Sequence, residues 1–151
     1  MQGQLQKYKH NIIGYDVEDS DGYAMKTLMQ GYGHQQIADM VAYIKTFKPR
    51  TQSITLGGDP VKGRISYELN CAACHQENGK GSKTVYAPNL VGLSDTYMFN
   101  QLVKYRDGIR GSGTGDYHGK IMQLFAKVIK DEQTMKDIGA YITTLQEKET
   151  D

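Results

Sequence analysis

Residues 71–75 read Cys71-Ala72-Ala73-Cys74-His75, and the two cysteines are the only ones among 151 residues. Two thiols three positions apart, followed directly by an imidazole, are what covalent haem attachment requires. Cys71 and Cys74 can each add to one vinyl group while His75 comes under the iron. A redox disulfide or half of a zinc site would use the same Cys-x-x-Cys pair. Structural zinc, however, needs four ligands, and the sequence holds no second Cys pair and no His-x-x-x-His spacing. One covalent haem c is therefore the expected cofactor.

A chain of this length allows one domain or two small ones, and 38% hydrophobic with 23% charged residues is ordinary for a globular protein. A tethered porphyrin adds a large apolar body to a core that a module of about 90 residues would otherwise build only marginally. The 18 basic and 17 acidic residues are interspersed, for a net charge of +1. Nucleic acid, which calls for clustered Lys and Arg, is not an expected partner. No apolar stretch approaches the length of a membrane span, and the first residues lack the apolar core of a signal peptide.

The chain repeats itself incompletely. Gln4, Leu5, Lys7, Tyr8, Ile12, Gly14, Asp19, Gly22 and Met25 recur 97 positions later as Gln101, Leu102, Lys104, Tyr105, Ile109, Gly111, Asp116, Gly119 and Met122. After a one-residue slip, Gln35, Asp39, Ala42, Tyr43, Ile44 and Thr46 recur as Gln133, Asp137, Ala140, Tyr141, Ile142 and Thr144. Such matched spacing exceeds what two unrelated amphipathic helices would share. Residues 1–48 thus match the second half of a module spanning about 59–151, with no Cys-x-x-Cys-His before them. The expected domains are a haemless partial repeat at 1–48, a linker at 49–58 that carries Pro49, Gly57 and Gly58, and a monohaem domain at 59–151.

Periodicity predicts an all-α fold. Asp59-Pro60 opens a helix on which Val61, Ile65 and Leu69 share one face. Ser94 caps a helix running to about Asp107, where Gly108 and the glycines at 111, 113 and 115 end it. A closing helix starts near Asp131 and puts Met135, Ile138, Ile142 and Leu145 on its buried side. Its counterpart places Ile37, Met40, Val41, Ile44 and Phe47 in the same way. An apolar face of that kind invites association, so residues 1–48 are expected to dock it on the haem module, on a second copy of the chain, or on an upstream haem-bearing segment. Met25, the counterpart of Met122, has no iron from its own repeat.

Residues 59–151 resemble a class I cytochrome c, through Gly63 and Tyr67 before the haem motif, Ala87-Pro88-Asn89-Leu90 after it and Ala140-Tyr141-Ile142 near the end. The tandem arrangement is similar to the dihaem cytochrome c4 type. The resemblance implies a helical fold around one covalent haem. In it the first and last helices cross, with Gly63 beside Tyr141 as the small residue accepting an aromatic. It also implies that the Pro88 carbonyl accepts a hydrogen bond from His75, the alternative being a loop proline without that role. For the sixth iron ligand the candidates after His75 are Met98, Met122 and Met135. Met98 falls inside a predicted helix and Met135 on an apolar stripe, so both read as core residues. Met122 lies 47 residues beyond His75, a separation similar to that in the family, and is the expected ligand, with His118 as its competitor. Arg106 and Arg110 are candidates for a haem propionate.

A haem filled on both sides passes charge without admitting substrate, so the expected function is single-electron transfer, not enzymatic catalysis. The expected partners are periplasmic redox proteins or a membrane-bound oxidase or reductase, with Lys62, Lys80 and Lys83 able to steer an acidic surface. Haem attachment to cysteine points to the periplasm, reached by a leader this chain lacks. The alternatives are a haem subunit of a larger dehydrogenase or oxidase, and a small haem peroxidase or gas sensor with a labile sixth ligand.

Overall fold

The computed structural model describes residues 1–48, 51–129 and 131–145. Pro49 of the expected linker and residues 146–151 of the expected haem domain lie outside the described residues. The described chain folds as eight helices: α1 (Gln2–Lys9), α2 (Ser20–Gln30), α3 (His34–Ile44), α4 (Pro60–Asn70), α5 (Ala72–His75), α6 (Asp95–Arg106), α7 (Tyr117–Val128) and α8 (Glu132–Thr144). Besides these there is one isolated antiparallel bridge, Ser82 with Ala87.

Short polar side chains start the helices by accepting from the amides that have no partner in the first turn. Asp59 takes Val61 N and Lys62 N ahead of Pro60, Ser94 takes Tyr97 N, and Asp131 takes Thr134 N. Asp19 and Asp116 cap α2 and α7 in the same way, through Gly22 N and Gly119 N. Each such cap is worth about 1 kcal/mol.

The main core lies where α4, α6 and α8 meet. It consists of Tyr67, Leu90, Met98, Leu102, Ile129, Met135, Ile138 and Ile142. Helices α4 and α8 cross in close contact because Gly63 has no side chain: a Cβ there would sit 1.8 Å from the Asp137 carbonyl oxygen. A Cβ on Gly58 would likewise stand 2.2 Å from the Lys136 carbonyl oxygen. Gly63 thus accepts the backbone of α8 at Asp137, and Tyr141, one turn further along α8, packs its ring on that of Tyr67, one turn beyond Gly63 on α4, centroid to centroid at 5.3 Å.

The same crossing decides which side of α4 is buried. Val61, Ile65 and Leu69 share a face, as expected, and it is the face turned to solvent, with Leu69 79% exposed. The glycine needed for close approach lies on the opposite side of α4 with Tyr67, and that side is the one buried. On α8 the expected inner positions Met135, Ile138 and Ile142 are buried, with Leu145 half-buried just past the helix end. On α3 only Ile37 and Val41 are buried. Met40 is half-buried, while Ile44 and Phe47 are exposed because nothing equivalent to α4 covers that end of α3 within residues 1–48.

The repeat extends to hydrogen bonds. Gln35 Nε2 donates to Asp39 Oδ1 at 2.9 Å as Gln133 Nε2 does to Asp137 Oδ1 at 2.8 Å, and Thr46 and Thr144 each donate to the carbonyl three residues back at 2.7 Å. Residues 1–48 dock on α6 and on the loop that leads into α7. They do so through Gln4, Lys7, Tyr15 and Asp19 and not through the Ile37–Val41–Ile44 face expected from sequence. Between the repeats, Thr55 and Leu56 donate three hydrogen bonds to the buried Asp95 carboxylate, tying the connecting segment to the start of α6.

Candidate haem-binding site

Cys71 ends α4 and begins α5, so the haem motif folds as a single helical turn. The Cys71 carbonyl accepts from Cys74 N at 3.1 Å and from His75 N at 2.9 Å, which gathers both thiols and the imidazole into one short stretch of backbone. The thiols are free and half-buried, and Cys71 packs against the main core. Burial, reinforced by repulsion from Cys74, pushes the Cys71 thiol up to about 12. A redox Cys-x-x-Cys pair needs the reverse, a thiol held well below its usual range. Among the described residues no three His, Cys, Asp or Glu side chains converge as a metal site, so a zinc centre is not built around this pair either.

His75 is 7% exposed, and its Nδ1 lies 3.0 Å from the Pro88 carbonyl oxygen. A carbonyl only accepts, so Nδ1 carries the proton and the lone pair is left on Nε2. Burial pushes the imidazole pKa down, opposed by the Pro88 contact, and the ring stays neutral. A neutral ring with one nitrogen anchored and the other free is in the state required to ligate iron.

Residues to which the sequence assigned no part in holding His75 build this anchor. Gly81 has φ +75°, and a Cβ on it would lie 2.5 Å from the Pro88 carbonyl oxygen, so only glycine lets that carbonyl come so near. Gly81 N donates to the His75 carbonyl, and the Ser82–Ala87 bridge closes the loop that presents Pro88. The Tyr67 hydroxyl, at the other end of the turn, donates to the Gln76 carbonyl at 2.7 Å. Glycine at 81 was visible in the sequence, but its role depends on a contact seven residues away that spacing does not reveal.

Met122 lies in the second turn of α7, half-buried, against the same core cluster that Cys71 touches. Met98 and Met135 are core residues, 6% and 0% exposed. His118 is exposed and places its ring 4.6 Å from that of Tyr86. Arg106 pairs with Asp107 and Glu132, and Arg110 hydrogen-bonds Gln101 and Gln4. Met25 is half-buried and lines a cleft with Tyr8, Asp19, Tyr97 and Lys104 where the two repeats meet. The residues present fit a covalent haem: paired thiols beside an apolar core, a neutral anchored imidazole, and a thioether bordering the same core.

The Cytochrome c family profile matches residues 60–146. The chain belongs to the cytochrome c family. Membership implies covalent haem c, with Cys71 and Cys74 at the spacing of its attachment motif. This cytochrome is 28% identical over 157 aligned positions to cytochrome c4 of Pseudomonas aeruginosa, covering 95% of the chain and 72% of that protein. It is 27% identical to cytochrome c4 of Azotobacter vinelandii, covering 81% of the chain and spanning only 58% of that protein. The solved structure of Acidithiobacillus ferrooxidans cytochrome c4 superposes with a TM-score of 0.70 at 23% identity, over 95% of this chain and 82% of that one, so the fold is shared. No helix among the described residues is long and apolar enough to cross a membrane.

Proposed function

We propose that this cytochrome carries single electrons between periplasmic redox partners, with iron held by His75 on one side and Met122 on the other. The observation that carries the reading is the His75 imidazole, buried, neutral and held at Nδ1 by the Pro88 carbonyl within one turn of Cys71 and Cys74. When bound, the haem supplies a one-electron couple at iron. The protein's part is positional. Cys71 and Cys74 tether, His75 presents Nε2, and Pro88 fixes the plane of the His75 ring and raises its donor strength. Met122 offers a soft thioether that favours the reduced metal and raises the potential. The core of Tyr67, Leu90, Met98 and Leu102 keeps water out. Exposed Lys80 and Lys83, on the loop that follows the haem motif, give that edge a positive charge suited to weak, salt-sensitive encounters with an acidic partner.

The test is spectroscopic. Ferric matured protein is expected to show the far-red absorption band of methionine-bound iron, and Met122→Ala to abolish it, lower the potential and admit carbon monoxide to the ferrous form. Persistence of the band in Met122→Ala would overturn the ligand assignment. High-spin spectra with rapid carbon monoxide binding in the unmodified protein would favour a peroxidase or gas sensor instead.

A further inference from the structure

The contacts between the two repeats come in pairs related by the repeat itself. Lys7 Nζ lies 2.6 Å from Asp116 Oδ1, and Lys104 Nζ lies 2.6 Å from Asp19 Oδ1. Lys104 is the repeat counterpart of Lys7, and Asp116 that of Asp19. Tyr15 and Ser112, which occupy equivalent positions, meet each other at 2.5 Å. This is the reciprocity of a two-fold interface, in which residue i meets j and j meets i.

The two halves of this interface differ in what they support. Asp19 caps α2, which carries Met25. Asp116 is 1% exposed and caps α7, which carries Met122 less than two turns on. A carboxylate buried to that degree needs its cation, and the cation comes from the haemless repeat. The loop leading into α7 is held from the same side at three further points. Arg110 donates to Gln4 at 3.1 Å, Ser112 meets Tyr15, and Gly113 lies so close to the Ile12 carbonyl that a Cβ would stand 2.4 Å from it.

We infer that Lys7 is a positioning residue for the sixth ligand, and that the haemless repeat acts as a clamp keeping the Met122 helix in place. The inference rests on the reading of Met122 as the ligand. It predicts that loosening the clamp makes the Met122 sulfur easier to displace without touching the haem pocket.

Imidazole added to the ferric full-length cytochrome at fixed pH and salt competes with that sulfur, and loss of the far-red band reports the competition. In Lys7→Met the apparent affinity for imidazole should rise about tenfold, between the effects of exposed and fully buried ion pairs. Lys7→Arg should restore most of the original value. Lys104→Met breaks the mirror-image ion pair, which supports α2 and not α7, and should leave the affinity within about twofold of the unmodified protein. Tyr15→Phe, which buries no charge, should shift the affinity in the same direction as Lys7→Met by about threefold. Equal shifts in Lys7→Met and Lys104→Met would overturn the clamp in favour of general loosening, as would no shift in Lys7→Met and Tyr15→Phe. Absence of the far-red band from the unmodified protein would instead locate the failure in the ligand assignment.

Discussion

Asp95 shows how much of this fold depends on single polar atoms. It is 1% exposed and accepts from Thr55 N, Leu56 N, Thr55 Oγ1 and Thr96 N at 2.5–2.8 Å. Burial alone would push its carboxyl up, but those donors outweigh it and hold the carboxyl below the usual range. A folded-state pKa below the unfolded value contributes stability that is fully present above about pH 4 and lost as pH falls through the lower folded value. Asp95→Asn should cost about 2–3 kcal/mol at neutral pH, because an amide cannot accept all four donors, and should flatten the acid-side loss. Urea unfolding at pH 7 and at pH 3 would measure both effects; unchanged acid sensitivity would assign that loss to other carboxylates. Sequence showed Asp95 only as the residue after a helix cap. Three of its four donors lie about 40 residues earlier, a separation that no local pattern encodes. The run Cys71, Cys74 and His75 was legible as a motif because the spacing that haem attachment requires is itself local.

At the level of helices, the sequence was readable wherever one helix could be judged alone. The capped starts at Asp59, Ser94 and Asp131 stand where the residue types place them. The buried side of α4 was not legible, because hydrophobic periodicity selects Val61, Ile65 and Leu69, whereas the α4–α8 crossing is governed by the absence of a side chain at Gly63. Gly63→Ala should therefore destabilise the matured protein by about 3 kcal/mol or more, since the methyl meets rigid backbone at Asp137 and not a movable side chain. Leu69→Ala, on the exposed face, should cost no more than about 0.5 kcal/mol. Thermal melts of the two variants side by side would decide which face of α4 is structural. A larger loss in Leu69→Ala would reverse the assignment.

At the scale of the whole molecule, identical residues in the two repeats have different surroundings. Ile142 is 1% exposed beneath α4, while its counterpart Ile44 is 37% exposed. Ile142→Ala should cost about 2–5 kcal/mol and Ile44→Ala about 0.5 kcal/mol or less, as read by denaturant midpoints. Equal costs would mean that the open end of α3 is covered in solution. The recurrence of Lys7, Asp19, Lys104 and Asp116 was plain in the sequence, but recurrence does not say whether a residue serves its own repeat or the neighbouring one. Only the three-dimensional arrangement shows that these four cross over. Arg110 departs from that pattern: it reaches both Gln4 and Gln101, which are equivalents of each other, while its own counterpart is Ile13, 2% exposed. A cation seated between two matching acceptors can be supplied from one side only, since a second would crowd like charge into the same slot. Two repeats alike at this position would put two cations, or none, into that slot, so the recurrence has to break here, with Ile13 standing opposite Arg110.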